Sequence, residues 1–153
     1  MPSQEYLRER FNYNEEAGVL TWRTHLRAAR YVGKEAGSRN GKYLRIRLDG
    51  KGYLFHRIVW IYMNGEIPEG MNIDHIDNDP LNNRIDNLRL ATHHENMWNR
   101  PHARGYRFKD GSYQVSLVHK GEYMYLGSYK TKEEAKSVYK KKALELRGEF
   151  AVK

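Results

Sequence analysis

The stretch "NIDHIDNDPLNNRIDNLRLATHHENMWNR", residues 72–100, decides how this chain is read. "NIDHI" predicts a strand, the Asn- and Asp-rich run after it a loop, "LRLA" a second strand, and the residues from about Thr92 a helix. A hairpin folded onto a helix brings Asp74 and His75 beside the first helical turns. Neighbouring strand residues point to opposite faces, so these two can share a site only where the strand bends or ends. Aspartate and asparagine oxygens suit Mg²⁺, which keeps several waters and takes few protein ligands. A neutral imidazole beside such a cation can accept a proton from water, since its ordinary pKa lies near 6.5. "DNDPLNN" on its own is also a plain turn sequence.

The wider segment "HRIVWIYMNGEIPEGMNIDHIDNDPLNNRIDNLRLATHHENMWNR" resembles the HNH nucleases, which share a ββα-metal motif. The order Asp-His, Asn-Leu, Glu-Asn carries the likeness. The resemblance implies that His75 is the general base and that Asn87 is the middle asparagine, bracing the loop by hydrogen bonds. It further implies that Asp74 and Asn96 hold one Mg²⁺ (or Mn²⁺) per active site. Asn96 stands where the family name puts a histidine, so His94 competes with it for the ligand role. His56, His93, His102 and His119 read as structural or phosphate-facing. The implied reaction is hydrolysis of a DNA phosphodiester, by nicking or double-strand cleavage. Arg84, Arg89 and Arg100 read either as phosphate clamps or as solvated surface arginines.

Charge is distributed to match. Residues 1–54 hold 11 Lys/Arg against 6 Asp/Glu, or +5; residues 55–100 hold 4 against 7, or −3; residues 101–153 hold 12 against 6, or +6. Two basic ends flanking an acidic centre fit a polyanion bound around a hard cation. The total, +8, favours a polyanionic partner, which the resemblance implies is double-stranded DNA, with no small-molecule substrate. No apolar run approaches the roughly 20 residues that span a bilayer. The opening "MPSQEYLRERF" turns charged at once, unlike a signal peptide. Cysteine is absent, which excludes disulfides and thiolate zinc sites. A cytoplasmic protein, monomer or homodimer, encoded by a phage or mobile element in a bacterial host, is the expectation.

Residues 1–54 read as a β-rich, DNA-contacting region. A short helix is predicted over 4–13, "VLTWR" as a strand, and "YLRIRL" as a strand alternating apolar Leu44, Ile46 and Leu48 with Tyr43, Arg45 and Arg47. "DGKG" marks a hairpin turn, and "HRIVWIYMNG" a buried helix stopped by Gly65. Residues 55–100 are the expected nuclease module and 101–104 a linker.

Residues 105–153 resemble the three-strand-plus-helix DNA-binding domain of plant ethylene-response factors (the APETALA type), above all in "YLGSYKTKEEAKSVY" and "ALELRGEFA". Where many relatives carry a tryptophan, this chain has Tyr113. Thr131 and Glu134 predict a capping box, and Ala135, Val138, Tyr139, Ala143 and Leu146 an apolar stripe. Alternation sends Tyr113, Val115 and Leu117 toward the helix. Gln114, Ser116, Tyr123 and Tyr125 then share an open face with Arg104, Arg107 and Lys109 nearby, a surface suited to a major groove. The fold class expected is α+β: antiparallel strands, a ββα-metal module, then a small sheet packed on one helix. The competing reading is a non-catalytic, sequence-specific DNA-binding protein with a vestigial HNH fold.

Overall fold

A computed structural model describes residues 1–24, 28–98 and 105–151. The chain is α+β, with antiparallel sheets, and forms two compact units, Met1–His93 and His94–Lys153.

The first unit opens with α1 (Gln4–Arg10), capped by Ser3, whose side chain accepts from the Tyr6 N–H. The helix expected over 4–13 stops at Arg10, because Phe11–Asn14 becomes strand β1 and pairs with β2 (Val19–Trp22). Ladder pairing overrides the helical spacing of Tyr6, Leu7 and Phe11, a tertiary effect that local periodicity does not report. Strands β3 (Ser38–Asn40), β4 (Tyr43–Leu48) and β5 (Lys51–Leu54) form a meander with β4 in the middle. On β4, Ile46 and Leu48 are buried while Arg45 and Arg47 are exposed, as the alternation requires. Strand β3 was not foreseen; its three residues are all exposed and carry no apolar alternation.

Helix α2 (Phe55–Asn64) buries Phe55, Ile58, Val59 and Ile61 and ends at Gly65, whose N–H bonds to the Ile61 carbonyl. Strands β6 (Asn72–His75) and β7 (Leu88–Ala91) pair in register, Asp74 opposite Arg89 and His75 opposite Leu88. Leu7, Phe11 and Leu20 share one apolar core with Ile58, Ile73 and Leu88. The N-terminal hairpin and the β6–β7 hairpin are therefore built on the same buried surface. Fully burying one such side chain contributes on the order of 1.5–3 kcal/mol, which makes this core the main anchor of the site.

In the second unit, β8 (Tyr106–Lys109), β9 (Ser112–His119) and β10 (Glu122–Tyr129) form an antiparallel sheet with β9 central. Helix α4 (Lys132–Arg147) covers one face. Both halves of the Thr131–Glu134 capping box are present. Val115, Leu117, Ala135, Tyr139 and Ala143 form the core. A register shift between Tyr125 and Gly127 marks a bulge in β10. Helix α3 (His93–Trp98) lies at the junction of the two units in sequence.

Candidate functional site

Strand β6 ends at His75, so Asp74 and His75 sit where the extended geometry stops. Both are buried, at 6% exposure each. The chain then turns through Asn78, held at φ 65° with its N–H bonded to the His75 carbonyl.

The His75 ring is fixed by a residue that the sequence did not single out. Its Nε2 lies 3.2 Å from Oδ1 of Asn83. The Asn83 amide nitrogen donates to the Leu81 carbonyl at 3.0 Å, which orients Oδ1 toward the ring. An amide oxygen only accepts, so this contact requires a proton on Nε2. Asn83 is among the most buried side chains of the unit, at 1% exposure, and its own carbonyl accepts the Tyr13 hydroxyl at 2.9 Å. Burial pushes the Tyr13 hydroxyl up to about 12, so it stays a donor. Asn83 had read as one of several loop asparagines.

Asn87 ties the intervening loop together. Its amide nitrogen donates to Asp77 Oδ1 at 2.9 Å and to the Asn82 carbonyl at 2.8 Å, and its Oδ1 accepts the Asp77 N–H at 3.1 Å. Its backbone carbonyl accepts the Ile76 N–H. Asp77, expected to serve only the turn, is the hub, accepting also from Asn82 and from the Asp79 N–H. Burial raises its carboxyl, but these hydrogen bonds outweigh that and hold it below the usual carboxylate range.

Behind His75 stands His56, on the first turn of α2. The rings meet edge to face with centroids 4.9 Å apart, and Tyr43 packs on His56 at 5.6 Å. Burial first, then the charges of His75 and Arg57, lower the His56 pKa to about 3. His56 is thus a neutral wall at ordinary pH, in keeping with its expected structural role.

Asp74 is held differently from the expectation. Arg89, read as a phosphate clamp or surface arginine, is buried at 8% exposure and donates from both Nε (3.0 Å) and a terminal nitrogen (2.9 Å) to Asp74 Oδ2. Arg84 lies at the surface in a bidentate pair with Asp86. Arg100 and Arg104 fall outside the described residues. Asn96 and His94 both lie on α3, in the second unit. A carboxylate oxygen is a hard donor of the kind Mg²⁺ and Mn²⁺ take alongside water and phosphate, so the chemistry of Asp74 fits such an ion. Arg89 offsets the Asp74 charge and competes for one of its oxygens.

On the second unit's sheet, Arg107, Lys109, Tyr123 and Tyr125 are exposed, while Gln114 and Ser116 are half-buried. Arg107 stands opposite Gln114 and Lys109 opposite Ser112, while Tyr125 stands opposite Ser116 and Tyr123 opposite Val118. Arg107 Nε donates to Gln114 Oε1 at 3.2 Å, so these two side chains come as a pair. Tyr123 and Tyr125 are more than half exposed, as are Val118 and Phe108, the last of which the sequence reading passed over.

Residues 53–98 match the HNH endonuclease family. The matched segment runs from β5 through α3 and holds Asp74, His75, Asn83, Asn87 and Asn96. An uncharacterized HNH endonuclease of Acanthamoeba polyphaga mimivirus is 37% identical over 106 residues, covering 67% of this chain and 57% of the relative. Protein 3.8 of Escherichia phage T7 is 59% identical over 44 residues, 29% of this chain and 36% of that protein. The chain thus spans little more than half the length of one relative and about a third of the other. The HNH homing endonuclease I-HmuI, solved in a study of DNA binding and cleavage, aligns with a TM-score of 0.43 and 26% identity, over 57% of this chain and 49% of that one. Among the described residues no helix is long and apolar enough to cross a membrane.

Proposed function

We propose that this chain is a metal-dependent DNA endonuclease of the phage or mobile-element type, acting in the cytoplasm of a bacterial host. The observation that carries the reading is the fixed ring of His75 inside the segment that matches the HNH family.

In the proposed mechanism, Nδ1 of His75 accepts a proton from a water whose oxygen attacks the phosphorus in line. The bond from phosphorus to the 3′ oxygen breaks, and that oxygen takes a proton from solvent. Asn83 holds Nε2–H, so the basic nitrogen meets the water without the ring having to turn first. Asn87 keeps the 76–87 loop in the shape that places Asn83. Asp74 and Asn96 are the residues that would hold the divalent cation, with His94 the competitor for the second place. A bound cation supplies charge stabilisation at the oxygens of the reacting phosphate. Arg45 and Arg47 on β4, and Arg107, Lys109, Gln114, Ser116, Tyr123 and Tyr125 on the second unit's sheet, are the proposed DNA contacts, sheet residues reading bases and cations meeting phosphate. Residues 105–153 are proposed as the DNA-recognition domain.

Arg89 favours one alternative. Its guanidinium occupies an Asp74 oxygen that a cation would use, which a vestigial, DNA-binding-only module would tolerate. The two readings separate on supercoiled plasmid incubated with Mg²⁺, with Mn²⁺ or with EDTA. Nicked or linear product that requires the metal supports the enzyme; DNA binding with no cleavage under any metal supports the alternative.

A further inference from the structure

The first unit carries a recess lined by none of the residues named around His75. Its volume is about 650 Å³, in the range of small-ligand sites. It is lined by Tyr6, Arg10, Trp22, Arg30, Tyr31 and Arg47. Three guanidiniums and three aromatic rings thus converge on one cleft. Among the described residues none of the three arginines has a carboxylate within ion-pair distance. Asp49, also on the wall, accepts the Tyr6 hydroxyl instead. Arg10 stacks on the Tyr6 ring at 4.5 Å and Arg30 on Tyr31 at 5.2 Å, which holds both guanidinium planes against aromatic faces. Arg47 is steadied by its Nε bond to the Gly50 carbonyl at 3.2 Å.

We infer that this cleft binds a nucleotide, its base stacked among Trp22 and Tyr31 and its phosphate on Arg10, Arg30 and Arg47. The chemistry follows from the lining. Unneutralised arginines call for an anion, and phosphate matches their planar forks. An anion alone needs no aromatic walls, whereas a base stacks on them whatever its sequence. A planar ring joined to a phosphate satisfies both. The nucleotide has two sources, a free mononucleotide or an unpaired nucleotide of a DNA strand, and the inference goes beyond the proposed cleavage chemistry.

The test is a binding titration without divalent metal, on the full chain and on its His75→Ala variant, so that it stands whether or not the protein cuts DNA. The probes are dAMP, inorganic phosphate, adenosine, a short oligo-dT single strand and a fully paired duplex. The inference expects dAMP or the single strand to bind more tightly than phosphate or adenosine. Arg30→Glu and Tyr31→Ala, both at exposed positions, should each weaken that binding by about tenfold or more. Tight dAMP binding assigns the cleft to free nucleotide; binding of the single strand alone assigns it to an unpaired nucleotide in DNA. If phosphate binds as well as dAMP and Tyr31→Ala changes nothing, the cleft is a plain anion site and the inference is overturned. Failure of both dAMP and the single strand to bind, or binding that survives both variants, overturns it equally.

Discussion

Oδ1 of Asn83 sits 3.2 Å from Nε2 of His75, in a buried pair whose amide is anchored on the Leu81 carbonyl. That contact calls for a proton on Nε2 of the proposed base. Replacing Asn83 by Leu removes the acceptor and leaves a buried N–H unsatisfied, at a cost of about 1–3 kcal/mol. The expected kinetic result is a fall in kcat of about 10- to 100-fold with KM for DNA nearly unchanged. Nitrogen-15 spectra of the His75 ring should show the Nε2–H tautomer in the wild type and a mixture in Asn83→Leu. A fall in stability with kcat and tautomer intact would reduce Asn83 to a packing residue.

The hairpin of β1 and β2 presses on the same residue from the other side. Gly18 has φ +67°, and a Cβ there would meet the Arg84 backbone nitrogen at 2.6 Å and the Asn83 carbonyl carbon at 2.8 Å. Backbone cannot step aside as a flexible side chain can. Gly18→Ala is therefore expected to cost about 1–3 kcal/mol of stability, through strain at a left-handed position as well as through the clash. Because the displaced segment carries Asn83, cleavage should slow more in Gly18→Ala than in an equally destabilised variant of the second unit. Chemical denaturation and single-turnover cleavage measure the two effects.

Arg89 and Asp74 form a buried ion pair, with both arginine donors on one carboxylate oxygen. Removing one partner leaves a buried charge uncompensated, so Arg89→Met is expected to cost about 3–5 kcal/mol. The double variant Asp74→Asn/Arg89→Met removes both charges and should recover much of that loss. A thermal melt series of the four proteins reads the coupling, and additive losses in the double variant would show that the pair is not a unit.

Acid sensitivity follows from His56. Its folded pKa is about 3, below the ordinary 6.5 of an unfolded histidine. The unfolded chain therefore binds the proton more readily, and stability is lost as pH falls below about 6.5. The loss runs at about 1.4 kcal/mol per pH unit until the folded pKa is reached. Between pH 6.5 and 5 this single group should remove about 2 kcal/mol. Denaturant midpoints across that range check it, and His56→Leu should flatten the wild-type slope by about one proton.

The sequence disclosed the outline of the fold where period and chemistry agreed. The alternation of "YLRIRL", the capping box at Thr131 and Glu134, the stop at Gly65 and the β6–β7 hairpin all stand where local rules put them. It misled at Phe11, where pairing with Trp22 outweighs helical spacing, and it was silent on β3, whose exposed residues carry no pattern. At the candidate site, Asn87 was singled out by the resemblance alone, and it lies in the hydrogen-bonded loop after His75. Asn83 and the burial of Arg89 were not legible. Both depend on contacts across a folded loop or between paired strands, and an asparagine or arginine has the same letter whether solvated or buried.

The central claim is that His75 is the base, and single-turnover cleavage of plasmid DNA by wild type and His75→Ala, at saturating protein with Mg²⁺, tests it most directly. The account predicts a rate loss of about 10²- to 10⁴-fold with DNA affinity retained, and partial recovery on adding imidazole. Cleavage by His75→Ala within a few-fold of the wild type would contradict it.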